Sequence, residues 1–174
     1  MSANTAKISV MVGNHCCCLK IEGRANFNSS VDFKRVINEL RARGFQDFII
    51  ELSGCTLMDS TFLGVLTGFG LQMNPEARPG AGGIELLNPN ARIAELLENL
   101  GVLHLFKISQ GPLQPPASSE TVAHSPVSPS QEEVTRTCLE AHRTLMAVNP
   151  ENVPRFKDVA QFLAEDLKKI RAAQ

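Results

Sequence analysis

The sequence contains no tryptophan and no tyrosine, and its nine aromatic residues are all phenylalanine. The amphipathic aromatic side chains that commonly anchor binding hot spots are therefore missing, which leaves only contacts based on phenylalanine. An excess of one charge is also missing, because 17 basic residues are balanced by 18 acidic residues. This balance argues against a strongly basic nucleic-acid-binding protein, and we expect no direct contact with nucleic acid.

Long apolar segments are absent as well, since no run approaches the roughly 20 residues that span a bilayer. Residues 1–13 lack the basic start and the long apolar stretch of a secretory signal. We therefore expect a protein without a membrane span that resides in the cytoplasm. The composition, with 43% apolar and 20% charged residues, is typical of a globular protein.

The chain has five cysteines, of which the first three are consecutive: Cys16, Cys17, Cys18, Cys55 and Cys138. On a strand, Cys16 and Cys18 would share one face and Cys17 would lie on the other. A zinc site needs further cysteines or histidines at matching spacing, and only His15 adjoins the cluster. We interpret these cysteines as buried strand residues and expect no metal and no cofactor, with a metal or redox role as the alternative.

Apolar periodicity predicts an α/β domain over residues 1–108, in which a mixed β-sheet packs against helices. Two strands form a hairpin and three more follow, over residues 7–13, 15–22, 47–52, 83–88 and 103–108. A helix precedes each of the last three strands, so that the predicted order is β-β-α-β-α-β-α-β. We expect Asn88 to cap the third helix and Pro89 to begin it. The second helix contains three glycines, which we interpret as close packing of that helix on the sheet: Gly64, Gly68 and Gly70.

The composition changes after residue 108. Residues 109–130 contain five prolines and many serines and threonines, which predicts an extended linker. Residues 131–174 then show two amphipathic helical patterns separated by Asn149-Pro150, which predicts a C-terminal helical hairpin. About 45 residues bury too little surface to be stable alone. The hairpin must therefore dock on the main domain, on a second copy as a homodimer, or on another protein.

No catalytic motif is present, and the four histidines are scattered, so we expect no enzymatic activity. The most informative position is Asp59-Ser60, between a buried strand and an apolar helix. Either side chain can cap the free N–H groups of the helix. A phosphate on a hydroxyl at this positive helix end would be tolerated, and it would add negative charge beside Asp59. A plain helix cap is the alternative interpretation.

Three segments together resemble a STAS domain of the anti-sigma-factor antagonist type: LKIEGRANF (19–27), DFIIELSGCTLMDSTFLGVL (47–66) and GIELLNPNARIAELLENLGVLHLFKI (83–108). The resemblance covers roughly residues 7–108. It implies a STAS-like fold and a binding switch in place of an enzyme. The implied partners are an anti-sigma factor that is also a serine kinase of the histidine-kinase-like ATPase type, and a serine phosphatase. Through them the protein would regulate transcription in bacterial signalling.

The resemblance also implies roles for single residues. Ser60 matches the serine that the kinase phosphorylates to release the complex, and Thr61 is the second candidate for that modification. The residues expected to contact the partner are Asn26, Asp59, Ser60, Thr61 and Phe62. Thr61 and Phe62 stand where the family often has a small residue and glycine, so we expect Phe62 to enlarge the surface beside the hydroxyl. Asn26 stands where the family usually has an aspartate.

Two other functions are compatible with these patterns. In the first, the chain is a constitutive STAS scaffold that is not phosphorylated and associates through the C-terminal hairpin. In the second, it is a small-molecule enzyme or a metal protein centred on His15 and the cysteine cluster, although no complementary site is visible.

Overall fold

The central element is a mixed β-sheet. The computed structural model describes residues 5–74, 82–114, 120–122, 126 and 128–174, and within these residues the sheet has seven strands. The strands are β1 (Lys7–Val12), β2 (Cys16–Ala25), β3 (Asp47–Glu51), β4 (Cys55–Met58), β5 (Gly83–Leu87), β6 (Lys107–Ser109) and β7 (Glu120–Val122). Their order is β6-β5-β3-β2-β1-β7, and β4 pairs with the end of β2 that extends beyond β3.

The sheet combines an antiparallel hairpin with a parallel half. β1 and β2 run antiparallel, and the Gly13 N–H donates to the Cys16 carbonyl at 2.8 Å in the turn between them. β2, β3, β5 and β6 run parallel to one another. The predicted hairpin and the mixed sheet are therefore confirmed.

The five helices within the described residues are α1 (Phe27–Ala42), α2 (Ser60–Gln72), α3 (Ala91–Asn99), α4 (Gln131–Val148) and α5 (Val153–Ala172). The apolar faces of the first four share one core with the strands. Large, fully buried side chains such as Phe33 on α1, Leu66 on α2 and Ile50 on β3 occupy its centre. This packing confirms the predicted α/β class.

The strands of the structure differ from the predicted strands at two places. Cys55–Met58 form the additional strand β4, which periodicity does not indicate because four residues are too few to show an alternation. Of the strand predicted over 103–108, only the end is extended in β6, and Leu103–Leu105 form a 3-10 helix.

The prediction that Asn88 caps the third helix and Pro89 begins it is wrong, because α3 begins at Ala91. The N-cap is Asn90, whose side chain accepts a hydrogen bond from the Ile93 N–H at 2.8 Å. Asn88 has a φ of 58° in the left-handed region, which asparagine tolerates better than most residues. Its amide exchanges two hydrogen bonds with the backbone of Gly111, at 2.8 and 2.9 Å. Asn88 therefore holds the chain segment that leaves β6.

Part of the predicted linker is extended against the sheet. Residues Glu120–Val122 pair with β1 in the antiparallel direction as β7. The rest of residues 109–130 lies partly outside the described residues, so the linker and its boundaries stay a prediction.

α4 and α5 form the predicted helical hairpin, with a 3-10 turn at Pro150–Asn152 between them. Ala141 and Leu145 of α4 are buried in the main core. The two helices also share a small cluster of their own, made by Leu139, Ala160 and Leu167. Of the three docking surfaces that the sequence leaves open, the structure therefore has the hairpin on the main domain.

The glycines of α2 do not pack on the sheet in the way we expect from the sequence. A Cβ atom at Gly64 would lie 2.5 Å from the Ala141 carbonyl oxygen and 2.6 Å from the Ala141 Cβ. A Cβ at Gly70 would lie 2.9 Å from the Phe106 ring, whereas Gly68 has nothing within 4 Å. Gly64 therefore allows α4 to approach α2 closely, and the contact it serves is between two helices.

We expect Phe33→Ala to lower the free energy of unfolding by about 3–5 kcal/mol, because it empties a fully buried ring site. The Phe33 ring lies 4.8 Å from the Phe62 ring and 6.1 Å from the Phe69 ring, measured between centroids. Urea denaturation would measure the loss. Phe162→Ala is the control, since Phe162 is 65% exposed and should change the stability by less than about 0.5 kcal/mol. Equal losses in the two variants would contradict this core assignment.

Candidate functional site

Asp59 joins the N-terminal ends of α1 and α2. Its carboxylate accepts a hydrogen bond from the Phe62 N–H at 2.8 Å, which makes Asp59 the N-cap of α2. The carboxylate also accepts from the backbone N–H groups of Thr61 and Phe27, the latter being the first residue of α1. The Asp59 N–H donates to the Ala25 carbonyl at 2.9 Å. One side chain thus satisfies free amides of two helices and fixes the edge at which both begin.

Burial raises the pKa of the Asp59 carboxyl above 3.8, although the three amide hydrogen bonds and the nearby His142 act in the opposite direction. Desolvation is therefore the largest effect on this group. Additional negative charge at this edge would face the same unfavourable environment.

Asn26 lies at the same edge and caps α1. Its side-chain oxygen accepts from the Ser29 N–H at 3.1 Å, and the Ser29 hydroxyl accepts from the Asn26 N–H at 2.9 Å. This reciprocal pair forms a capping box. Phe27 follows and is 45% exposed, so an apolar ring borders the site. Phe27 is not among the residues that the sequence predicts to contact a partner.

Ser60 is the first residue of α2, and its hydroxyl contacts α4. The Ser60 Oγ lies 2.9 Å from Nε2 of His142, and Nδ1 of His142 lies 2.6 Å from the Cys138 carbonyl oxygen. A carbonyl can only accept, so Nδ1 carries a proton. In the neutral imidazole, Nε2 then accepts and the Ser60 hydroxyl donates. The hydroxyl predicted as a modification site is thus engaged by the C-terminal hairpin.

The two residues after Ser60 are buried. Thr61 is 5% exposed, and its side chain hydrogen-bonds with the Cys138 thiol. Phe62 is fully buried against Phe33. The prediction that Phe62 enlarges the surface is wrong, because its ring points into the core and packs 4.8 Å from the Phe33 ring of α1. Of the five predicted partner-binding residues, Asn26, Asp59 and Ser60 are partly exposed.

The residues that α4 brings to the site are not found by reasoning from the sequence. His142 touches Ser60, and two glutamates of α4 pair with basic residues of α1: Glu133 with Arg35, and Glu140 with Lys34 at 2.9 Å. The sequence indicates the apolar stripe of α4 but not the helix that it contacts. His142 directly follows Ala141 of the apolar stripe, but nothing in the linear sequence relates that stripe to α2.

The cysteine cluster is structural in character. Burial raises the pKa of the Cys17 thiol to about 12 and that of the Cys18 thiol to about 11. Both side chains are buried, as we expect for strand residues, whereas His15 is exposed. Within the described residues, no group of three or more His, Cys, Asp or Glu side chains is placed to hold a metal ion.

A pH dependence of stability follows from Asp59. Because its pKa is raised on folding, the stability that its protonated form contributes is present below 3.8 and is lost as the pH rises through the folded value. The Asp59→Asn variant keeps a capping oxygen and does not titrate. We therefore expect the wild type to lose stability relative to Asp59→Asn as the pH rises from about 4 to about 7.

Urea denaturation of both proteins across this pH range checks the expected trend. The same substitution at the exposed Asp158 of α5 is the control. A wild type that gains stability relative to Asp59→Asn as the pH rises would contradict the dominance of desolvation.

No helix in the described part of the chain is long and apolar enough to cross a membrane.

Comparisons with known proteins concern the strands and the first three helices. A family model of the STAS domain matches residues 7–112. No curated protein matches the sequence. Among solved structures, an anti-sigma factor antagonist from Mycobacterium paratuberculosis has a TM-score of 0.50 and 14% identity, and the match covers 62% of this chain and 87% of that one. A Thermotoga maritima protein assigned as an anti-sigma factor antagonist has a TM-score of 0.50 and 20% identity, with 62% and 86% covered.

At these identities the solved structures show a shared fold, and the family match carries the assignment. That match includes β1 to β6 and the first three helices, and it leaves out α4 and α5. The chain therefore belongs to the STAS domain family, and it carries a helical hairpin in addition to the family domain.

Proposed function

We propose that the protein is a non-catalytic partner-switching regulator of the anti-sigma-factor antagonist type, controlled by phosphorylation of Ser60. The observation that carries this proposal is the position of Ser60. It is the first residue of α2, directly after the N-cap Asp59, at the edge where α1 and α2 both begin. A modified hydroxyl at this position changes the charge of this edge and replaces the hydrogen bond to His142.

The chemistry of the edge supports a switch. Phosphorylation adds a charge of about −1.5 to −2, which the positive end of α2 partly offsets. A docked partner, in contrast, would have to bury this charge beside the Asp59 carboxylate. Repulsion and desolvation would then oppose binding. The exposed Phe27 ring offers an apolar contact at the same edge.

The partner that fits this role is an anti-sigma factor that is also a serine kinase of the histidine-kinase-like ATPase type. A serine phosphatase would reset the switch. The output would be regulation of transcription through a sigma factor, in the cytoplasm, without direct contact with nucleic acid and without a cofactor.

The Ser60–His142 pair has the geometry of a nucleophile with its base, but its surroundings favour a binding role. A cavity of about 170 Å³ lies nearby between α1, α2 and α4. It is lined by residues such as Lys34, Gly68 and Thr144, and neither Ser60 nor His142 lines it. This cavity therefore offers no space for a substrate beside the Ser60 hydroxyl.

The alternative is a constitutive STAS scaffold that associates through its hairpin and is not phosphorylated. One observation favours it. Phe162 and Val159 are 65% and 43% exposed on α5, where they form an unpaired apolar contact surface. If this scaffold function holds, Phe162→Glu should abolish association while changes at Ser60 have no effect.

We expect Ser60→Asp to weaken binding of the kinase partner roughly tenfold or more, because it places a carboxylate at the docking edge. Affinity purification from a lysate of the source organism would use wild type, Ser60→Asp and Ser60→Asn as baits. The captured ATPase would then be tested for transfer of phosphate from ATP to Ser60.

Two controls separate charge from size and from position. Ser60→Asn has the size of the aspartate variant without its charge and should retain most of the binding. Ser128→Asp adds the same charge at an exposed position outside the site and should bind like wild type. Equal capture of the ATPase by wild type and Ser60→Asp would overturn the switch at Ser60.

A further inference from the structure

α4 covers the face that α1 and α2 present away from the sheet. Four contacts follow one another along this face: Glu133 with Arg35, Glu140 with Lys34, Ala141 with Gly64, and His142 with Ser60. The hairpin is also held at its turn, where the Asn152 side chain donates to the Leu100 carbonyl at 3.0 Å. The site residue Ser60 is therefore one of several points at which the hairpin is held. The STAS family match does not include α4.

The contact between α4 and the main domain combines polar groups with apolar side chains of the main core. Thr137, Cys138, Ala141 and His142 are buried there, and Leu145 is the large aliphatic side chain that accompanies them. A cleft of about 170 Å³ that opens to solvent borders this contact. Because Leu145 belongs to the main core, a partner that replaces the hairpin would have to cover the apolar surface that it leaves.

Within the hairpin, apolar side chains join α4 to α5. Leu139, Ala160 and Leu167 are buried in a cluster of their own, and Met146 and Leu163 pack against it. Arg171 of α5 also pairs with Glu132 of α4 at 3.1 Å. The hairpin therefore has contacts that can keep its two helices together when it leaves the main domain.

The Ser60 hydroxyl is engaged by the docked hairpin. The Ser60 Oγ has the His142 ring at 2.9 Å, and His142 is itself held by the Cys138 carbonyl. A phosphate on Oγ removes the hydroxyl proton that is donated to His142 and adds bulk and negative charge beside a buried ring. Phosphorylation of Ser60 and docking of the hairpin would therefore oppose each other.

We infer that the α4–α5 hairpin is a displaceable intramolecular ligand of the α1–α2 face, and that Ser60 becomes available to a kinase or partner only when the hairpin leaves. A partner that replaces it on this face would present a helix with a small residue opposite Gly64 and acidic residues opposite Lys34 and Arg35. The consequence for Ser60 rests on the proposed function, whereas the covering of Ser60 by the hairpin can be tested without any partner.

The first test measures access to position 60 with a small probe. In a Ser60→Cys background of the full chain, iodoacetamide labelling of the introduced thiol is followed by peptide mass spectrometry. Ala141→Leu adds bulk against Gly64 and should raise the labelling rate roughly tenfold by releasing α4. Arg143→Leu adds the same side chain at an exposed position of α4 and should leave the rate within about twofold.

Hydrogen exchange distinguishes release of the hairpin from general unfolding. We expect amides of α4 to exchange faster in Ala141→Leu, while those of β2 and β3 stay protected. Faster exchange in α4 with unchanged labelling at position 60 would overturn the inference, because Ser60 would then not be covered. Loss of protection in α4 and in the strands together would also overturn it, since the hairpin would then be an inseparable part of the domain.

A full chain that carries phosphoserine at position 60 provides a second test without bulky substitutions. Its α4 amides should exchange at the raised rate of Ala141→Leu, and the unphosphorylated chain should not. Unchanged protection of α4 in the phosphorylated chain would overturn the inference, because the phosphate on Ser60 and the docked hairpin would then coexist. Neither test uses a kinase, so failure here would leave the proposed binding switch to its own experiment.

Discussion

The Asp59 carboxylate is the interaction on which the candidate site depends. It caps α2 and also accepts from the first amide of α1, so one side chain fixes how two helices begin at one edge of the sheet. Ser60 follows it directly and takes its position from this cap. Burial opposes the charge of Asp59, yet the amides of two helix ends converge on it. An edge so organised is rigid enough to present a hydroxyl and is electrostatically sensitive to any further negative charge.

The same two helices form the platform on which the hairpin lies. Gly64 removes the side chain that would separate α2 from α4, and Ala141 supplies the small residue that faces it. Because the backbones approach so closely, His142 on the next position of α4 reaches the Ser60 hydroxyl. The Asp59 cap positions Ser60, Gly64 lets α4 approach, and His142 then reaches the Ser60 hydroxyl. Distant parts of the chain thus combine at one site. A STAS domain without α4 would present the same edge uncovered.

Reasoning from the sequence predicts local structure well here and long-range packing poorly. The β1–β2 hairpin follows from two runs of strand-forming residues around Gly13-Asn14, and the helical hairpin follows from two apolar stripes with Asn149-Pro150 between them. β4 is too short to show a period, and Asn88 and Asn90 are equally good caps by residue type. The burial of Phe62 could not be predicted, because it depends on α1 lying against α2, where the Phe33 ring meets Phe62. Spacing within a segment carries no information about which distant segment covers it. The residues that α4 contributes to the site, such as His142, therefore cannot be predicted from the sequence.

A covered Ser60 changes how a switch of the proposed kind would operate. If docking of the hairpin and modification of Ser60 oppose each other, each weakens the other by the same free energy. A binding partner that displaces α4 uncovers the hydroxyl in the same step. If that partner is itself the kinase, it creates access to its own substrate by binding, and free chains stay unmodified in its absence. The hairpin would then set a threshold for partner binding, and its contacts at Gly64, Lys34 and Arg35 would determine how high that threshold is.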